Sequence, residues 1–428
     1  SCVAKTHPQL QPTLFPLIAK RCSITRWICY AFLTTALKAN DGAKVDQPMK
    51  FVQEHLPAKT GLNKLPSASP LPEANWVLVF GSVSRFNDKG FAKTLKKRYP
   101  NAEIIGCTTS GEITGDGVYD DSIHITAMQW ERSTLRFISK PVNSMEQSHA
   151  LGAQIAAELK MDDLKGVFVL SDGLNVNGSE LVEGLQEILP NIPITGGLAG
   201  DSAAFKQTLL INNDKIQDRT VIAVGIYGED AIVTSGALGG WQPYGPPRKI
   251  TRSNKNVVYE LDNKPALPLY KMYIGYYANE LPASGLNFPF AIMDEKNVNV
   301  IRTLLSINEQ DNSLTFAGNI KEGSTVRFLK SDHDRLVLGA SEAARQILQK
   351  DVNINDKALA ICVSCVGRKL VMESQVSDEV FAVQRLLGMQ TGITGFYSNG
   401  EICSGEDDSH SLLHNQTMTI AYLSEHNA

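Results

Sequence analysis

The sequence predicts a mixed α/β protein of α+β type, with helices covering mainly antiparallel sheets. Three observations predict it. Apolar runs of strand length alternate with segments of helical spacing. The order strand–helix–strand–strand recurs three times, which marks an internal repeat. Hairpins follow one another directly, which argues against a purely parallel sheet.

Unit one opens with "NWVLVFGS", an apolar run that reads as a buried strand. "DKGFAKTLKKRYP" follows, with Phe91, Leu95 and Tyr99 at helical spacing and Pro100 ending the helix. Next come the strand and loop "EIIGCTTSGEI" and the alternating strand "SIHITAMQW". In unit two the strand is "LKGVFVLSDG" and the helix "GSELVEGLQEILP", with Leu181, Leu185, Ile188 and Leu189 on one face. "IPITGGLAGD" is its loop, and "KQTLLINNDKIQDRTVIAVGIYG" reads as a hairpin. Unit three runs "DKALAICVSCVGRKLV", "SDEVFAVQRLLG", "ITGFYSNGEICS" and "HNQTMTIAYLS". A similar helix precedes the last two units, "SHALGAQIAAELK" and "LGASEAARQILQK".

The loop of each unit carries glycines and an acid: Gly106, Gly111 and Glu112; Gly196, Gly200 and Asp201; Gly395, Gly400 and Glu401. Two readings stay open. A sharp strand-to-strand corner wants glycine at positive φ, with the acid bonding turn amides. Alternatively, backbone amides and small hydroxyls at corresponding strand ends line a ligand pocket.

A chain of 428 residues has room for more than one domain. Residues 49–240 and 241–428 are read as two, joined near Trp241, where "SGALGGWQPYGPPRKI" is rich in Gly and Pro. A net charge of −4 offers no electrostatic footprint for nucleic acid or an anionic membrane. Seven scattered cysteines are not a disulfide framework and point to a reducing, cytoplasmic setting. Residues 1–48 read as a non-native or disordered extension, with Met49 as the expected start. Their apolar run, Trp27 to Leu37, is too short to span a bilayer and lacks a small-x-small cleavage site.

The blocks "IIGCTTSGEI", "TGGLAGD", "GWQPYGPPRKITRS", "SLTFAGNIKEGSTVRF", "SCVGRKLV", "GFYSNGEI" and "LHNQTMTIAYLSE" run in one order over about residues 75–425. With them the chain resembles the FIST family of sensory proteins, N-terminal and C-terminal parts together. The resemblance implies small-ligand sensing, with amino acids or other small carboxylates as one ligand class. It also resembles stand-alone bacterial members that bind haem b, sense nitric oxide and act on a separate histidine kinase or cyclic-di-GMP enzyme.

The expected pocket draws on Cys107, Thr108, Thr109, Gly111, Glu112, Cys365, Arg368, Tyr397 and Glu401, with the loops of Glu112 and Glu401 approaching one another. Arg368 could clamp a ligand carboxylate, or pair with Glu112 or Glu401. Cys362 and Cys365 match C-x-x-C, but on a strand positions i and i+3 face opposite sides, so a joint role is not expected. His414 and His124 are the candidate haem ligands, since imidazole is the usual protein ligand for haem. No P-loop, GxSxG elbow, HExxH motif or dinucleotide fingerprint occurs, so the expectation is a sensor and not an enzyme. The alternatives are a hydrolase or transferase using a loop cysteine or carboxylate, and a non-catalytic adaptor.

Overall fold

Trp76–Gly81 is apolar or small throughout and all six residues are buried, the pattern of a strand covered on both faces. It runs parallel to Glu103–Thr108, and the chain crosses between them through the helix Phe91–Arg98. Gly90, at φ +82°, starts that helix, and Phe91, Ala92 and Leu95 turn its apolar face onto the sheet. The computed structural model describes residues 49–61, 64–293, 299–350, 352–353, 357–404 and 410–426. The expectation for residues 1–48 lies outside the described residues.

The other two units repeat the arrangement. Leu164–Ser171 pairs parallel with Ile194–Leu198 across the helix Gly178–Ile188, and Ala358–Cys365 pairs parallel with Thr391–Ser398 across Ser377–Leu387. Asn177 and Asp332 cap Gly178–Ile188 and His333–Leu348, accepting from the amides of Glu180 (3.2 Å) and Arg335 (3.0 Å). Each parallel pair is flanked by antiparallel strands, in agreement with the α+β expectation.

The three sheets exchange hairpins in a cycle. The unit-one hairpin, Glu112–Thr114 with Gly117–Tyr119, joins the unit-three sheet beside Thr391–Ser398. The unit-two hairpin, Leu210–Asn212 with Lys215–Gln217, joins the unit-one sheet beside Glu103–Thr108. The unit-three hairpin, Gly400–Ser404 with Ser411–His414, joins the unit-two sheet beside Ile194–Leu198. Each six-stranded sheet thus ends in a neighbour's hairpin, and the three close on a pseudo-three-fold axis. Their inner faces share one core that includes Trp76, Phe80, Phe168, Leu170, Val363 and Phe396, with the Phe80 and Phe396 rings stacked at 4.7 Å.

Unit three carries an inserted module between Ala231–Leu238 and His333–Leu348, with its own sheet and a core built on Tyr270, Phe290, Phe316 and Phe328. The Gly- and Pro-rich stretch read as a junction is part of this module. Gln242–Asn254 is a long strand whose register slips between Tyr244 and Arg248. Gly245, Pro246 and Pro247 fall in the slip, where no ladder amide is needed. His333 begins the helix that Asp332 caps. Among the described residues no helix is long and apolar enough to cross a membrane.

Candidate functional site

The three glycine loops meet on the axis. Sheet register makes Gly106, Gly196 and Gly395 equivalent, facing Val79, Val169 and Cys362. A Cβ at these glycines would stand 1.9, 1.9 and 1.8 Å from the carbonyl oxygens of those partners, so only glycine permits the approach. Counting on from these positions, Thr108, Leu198 and Tyr397 are equivalent, as are Ser110, Gly200 and Asn399.

A ring of hydrogen bonds ties these six residues together. The Ser110 amide donates to the Tyr397 carbonyl (2.8 Å), Gly200 to Thr108 (2.8 Å) and Asn399 to Leu198 (3.1 Å). The side chains of the inner positions are unsatisfied. Ser110 Oγ and both polar atoms of the Asn399 amide find no partner among the described residues, and Ser110 is buried. Gly200 leaves the third place without a side chain; a Cβ there would stand 2.5 Å from Ser110 Oγ.

The two loop glutamates are braces. Glu112 accepts from Thr109 Oγ1 (2.5 Å) and, through its other oxygen, from the Ser122 amide (3.1 Å) and hydroxyl (2.6 Å). Glu401 accepts from Ser398 Oγ (2.7 Å) and the Thr417 amide (3.2 Å). Each carboxyl therefore clips its loop to the residue heading the next long strand. Burial pushes the Glu112 pKa up to about 7 and that of Glu401 up to about 8, against the hydrogen bonds that favour the charge. In unit two Asp172 takes this place, accepting from the amides of Leu174 (2.8 Å), Asn175 (2.6 Å) and Arg219 (2.9 Å). Asp201 holds only its own loop, accepting from the amides of Phe205, Lys206 and Gln207. The loops of Glu112 and Glu401 do adjoin, since Glu112 is the register partner of Phe396.

Arg368 corrects one expectation. It pairs with neither loop glutamate, and no donor remains for a ligand. Nε and Nη2 donate to Glu379 Oε2 (3.1 and 2.6 Å), Nη1 to the carbonyls of Gly239 and Gln416, and Nη2 also to Leu336. That uses all five guanidinium protons in a fully buried cluster. Tyr397 OH and Ser364 Oγ complete it by donating to Glu379 Oε1 (2.5 and 2.9 Å). Its neighbour Lys369, outside the expected pocket, is the cation at the ring: Nζ donates to the Ser110 carbonyl (2.7 Å) and to Asp120.

Cys107 and Cys365 are buried in the strand ends, and burial raises both thiols well above the ordinary range. Cys362 packs in the unit-three core on the other face from Cys365. Thr108 Oγ1 accepts from the Leu209 amide (3.0 Å), and Gly111, at φ +142°, donates its amide to Thr109 Oγ1.

Both candidate histidines are buried on strands. His124 is register partner of His55 and lies against Gln53, with Nδ1 unpartnered. His124 also has Phe80 as a register partner. His414 is register partner of Glu401, with Nε2 unpartnered among the described residues. Among the described residues no cluster of three or more His, Cys, Asp or Glu could hold a metal ion.

Three repeated units closed around an axial ring define a pseudo-three-fold α+β protein with unsatisfied polar groups at its centre. The chain belongs to the FIST family: residues 75–264 match its FIST N domain and residues 266–404 its FIST C domain. The boundary between these matches falls inside the inserted module. FIST domains are associated with sensing small ligands in signalling. The chain is also 26% identical over 314 residues to an uncharacterised protein of Methanocaldococcus jannaschii, covering 66% of this chain and 58% of that protein. A looser similarity, with TM-score 0.34 and 8% identity, relates 88% of this chain to 99% of a cyanuric acid hydrolase from A. caulinodans.

Proposed function

We propose that this chain is a small-ligand sensor whose ligand is recognised at the junction of the three units. One observation carries the reading: Ser110 and Asn399, at equivalent places on the ring, present polar side chains with no partner among the described residues. Groups buried in this way cost stability unless something else satisfies them. Loops held by braced carboxyls on three rigid sheets are suited to recognition by position. The raised thiols support binding without turnover, because a cysteine nucleophile acts as thiolate.

The ligand is small and polar in preference to haem, given the setting of His124 and His414. The signal passes by contact to a separate protein, and the family resemblance points to a histidine kinase or a cyclic-di-GMP enzyme. A thermal-shift screen of small polar metabolites tests the reading. A hit should raise the melting temperature saturably, and Ser110→Ala and Asn399→Ala should each weaken its affinity about tenfold or more. Without ligand, both variants should be as stable as the parent. Loss of unliganded stability with no ligand found would make these residues structural and end the reading.

A further inference from the structure

The corners of units one and three share one plan and are finished differently. Glu112 pairs with Tyr119 and Glu401 with His414, so register makes Asp120 and Asn415 equivalent. Each lies two residues before the amide, Ser122 or Thr417, that donates to the loop glutamate. Gly111 and Gly400, each preceding its glutamate, are equivalent too. In unit one a lysine closes the corner. Lys369 Nζ lies 2.6 Å from where a Cβ at Gly111 would stand, and it donates to the Ser110 carbonyl (2.7 Å) and to Asp120.

In unit three the charges are gone. Asn399 stands for Ser110 and Asn415 for Asp120. The atoms nearest a Cβ at Gly400 belong to Leu413 (3.1 Å), Asn415 Nδ2 and Leu198 (both 3.7 Å), so a carboxamide and not an ammonium is the polar group beside this glycine. Asn399 adjoins Gly400 along the chain, and its Nδ2 lies 3.0 Å from where a Cβ at Gly173 would stand. Asn415 is fully enclosed, and all four polar atoms of the two side chains are buried with no partner among the described residues. Arg302, which reaches this hairpin from the inserted module, does not take the lysine's part. It donates to the carbonyls of Leu413 (2.9 Å), Ile301 (3.1 Å) and Asn319 (3.1 Å).

We propose that the unit-three corner binds a neutral ligand through an amide group, a primary amide or a lactam, whose N–H lies beside its C=O. An unpaired carboxamide offers a donor and an acceptor in one plane, and another amide answers both at once. An anion satisfies only the donors and a cation only the acceptors. Neither asparagine brings a countercharge, and a charge buried without one is costly. The ligand N–H donates to an asparagine Oδ1, and its carbonyl accepts from an Nδ2. The inference deepens the sensor reading, on which it rests for Asn399, and assigns the amide end of the ligand to the corner that no lysine closes.

The probes are nicotinamide and 2-pyrrolidone, with nicotinate and γ-butyrolactone as controls, titrated into the full chain and followed by calorimetry and thermal shift. Nicotinate puts a charged oxygen, and γ-butyrolactone a ring oxygen, where the amide has its N–H. Each amide should bind saturably at one site, and each control about tenfold more weakly or worse. Asn415→Leu removes two unpaired polar atoms at similar volume. Its melting temperature without ligand should be no lower than the parent's, and it should lose the response to both amides. Asn399→Ser copies the residue that the fold carries at the equivalent place in unit one, and should weaken binding about tenfold. No saturable response to either amide overturns the inference, as does equal binding of a control or a response that survives both substitutions. If Asn415→Leu fails to fold, Asn399→Ser decides: weakened binding supports the inference and unchanged binding overturns it. The sensor reading outlives that failure if a ligand without an amide binds and needs Ser110 and Asn399.

Discussion

Arg368 and Glu379 form an ion pair with both side chains fully enclosed, Nη2 to Oε2 at 2.6 Å, and it joins the start of Val366–Met372 to Ser377–Leu387. Pairs of this kind stabilise little relative to an apolar filling, but breaking one strands a charge. Arg368→Met should therefore cost about 3–5 kcal/mol in urea unfolding. Adding Glu379→Leu should recover much of that loss. A double variant as unstable as the single one would mean that packing, not charge, accounts for the loss.

Tyr397 donates to the same carboxylate. Tyr397→Phe should cost about 1.5–3 kcal/mol, the range for hydrogen bonds to charged groups. It should leave ligand affinity at the ring unchanged, because the tyrosine serves the ring through its backbone.

The loop glutamates predict a pH dependence with a definite sign. Their carboxyls bind protons more tightly folded than unfolded, at about 7 for Glu112 and about 8 for Glu401. Their contribution to stability is complete below the unfolded value near 4.5 and fades as pH rises through 7 to 8. Below pH 6.5 the depressed values of His124 and His414, about 3 and 4, add the opposite slope. The clean window is pH 6.5–8, where stability should fall with rising pH by up to about 1.4 kcal/mol per unit for each carboxyl. Glu401→Gln should flatten that slope in chemical unfolding, and an unchanged slope would remove Glu401 as its source.

Gly395 sits at φ +156° with the Cys362 carbonyl oxygen 1.8 Å from any added Cβ. Gly395→Ala should cost about 3 kcal/mol or more, since the parallel strands must part to admit the methyl. The equivalent Gly196→Ala should do the same, whereas Gly323→Ala, with nothing within 4 Å, should cost only the strain of its φ of +85°. Thermal unfolding of the three variants makes the comparison.

Haemin added to the purified chain should give no saturable Soret band. A band that saturates, shifts with nitric oxide and disappears in His414→Ala would favour the haem reading and displace that of a small polar ligand.

Much of the fold was legible because its signals are local. The apolar run of Trp76–Gly81, the spacing of Leu181 and Leu185 and the glycine before each corner depend on neighbours within a few residues. The opposite faces of Cys362 and Cys365 followed from the strand period alone. The repeat itself predicted that the loops of Glu112 and Glu401 adjoin.

Which sheet each hairpin joins was decided only in three dimensions. Glu112 pairs with Phe396 and Glu401 with Gly197, contacts set by the closing of three sheets and invisible to any local period. For the same reason the sequence showed Arg368 as a spare cation, when Glu379 on the next helix takes its charge. Arg302 gave no signal, since a lone arginine on a short strand reads as solvated until the module folds it against Leu413. Sequence alone determined the elements and their repetition, because backbone geometry and side-chain period are local. Tertiary structure decided which charges are paired and which polar groups are left waiting, because that depends on what folding brings from afar.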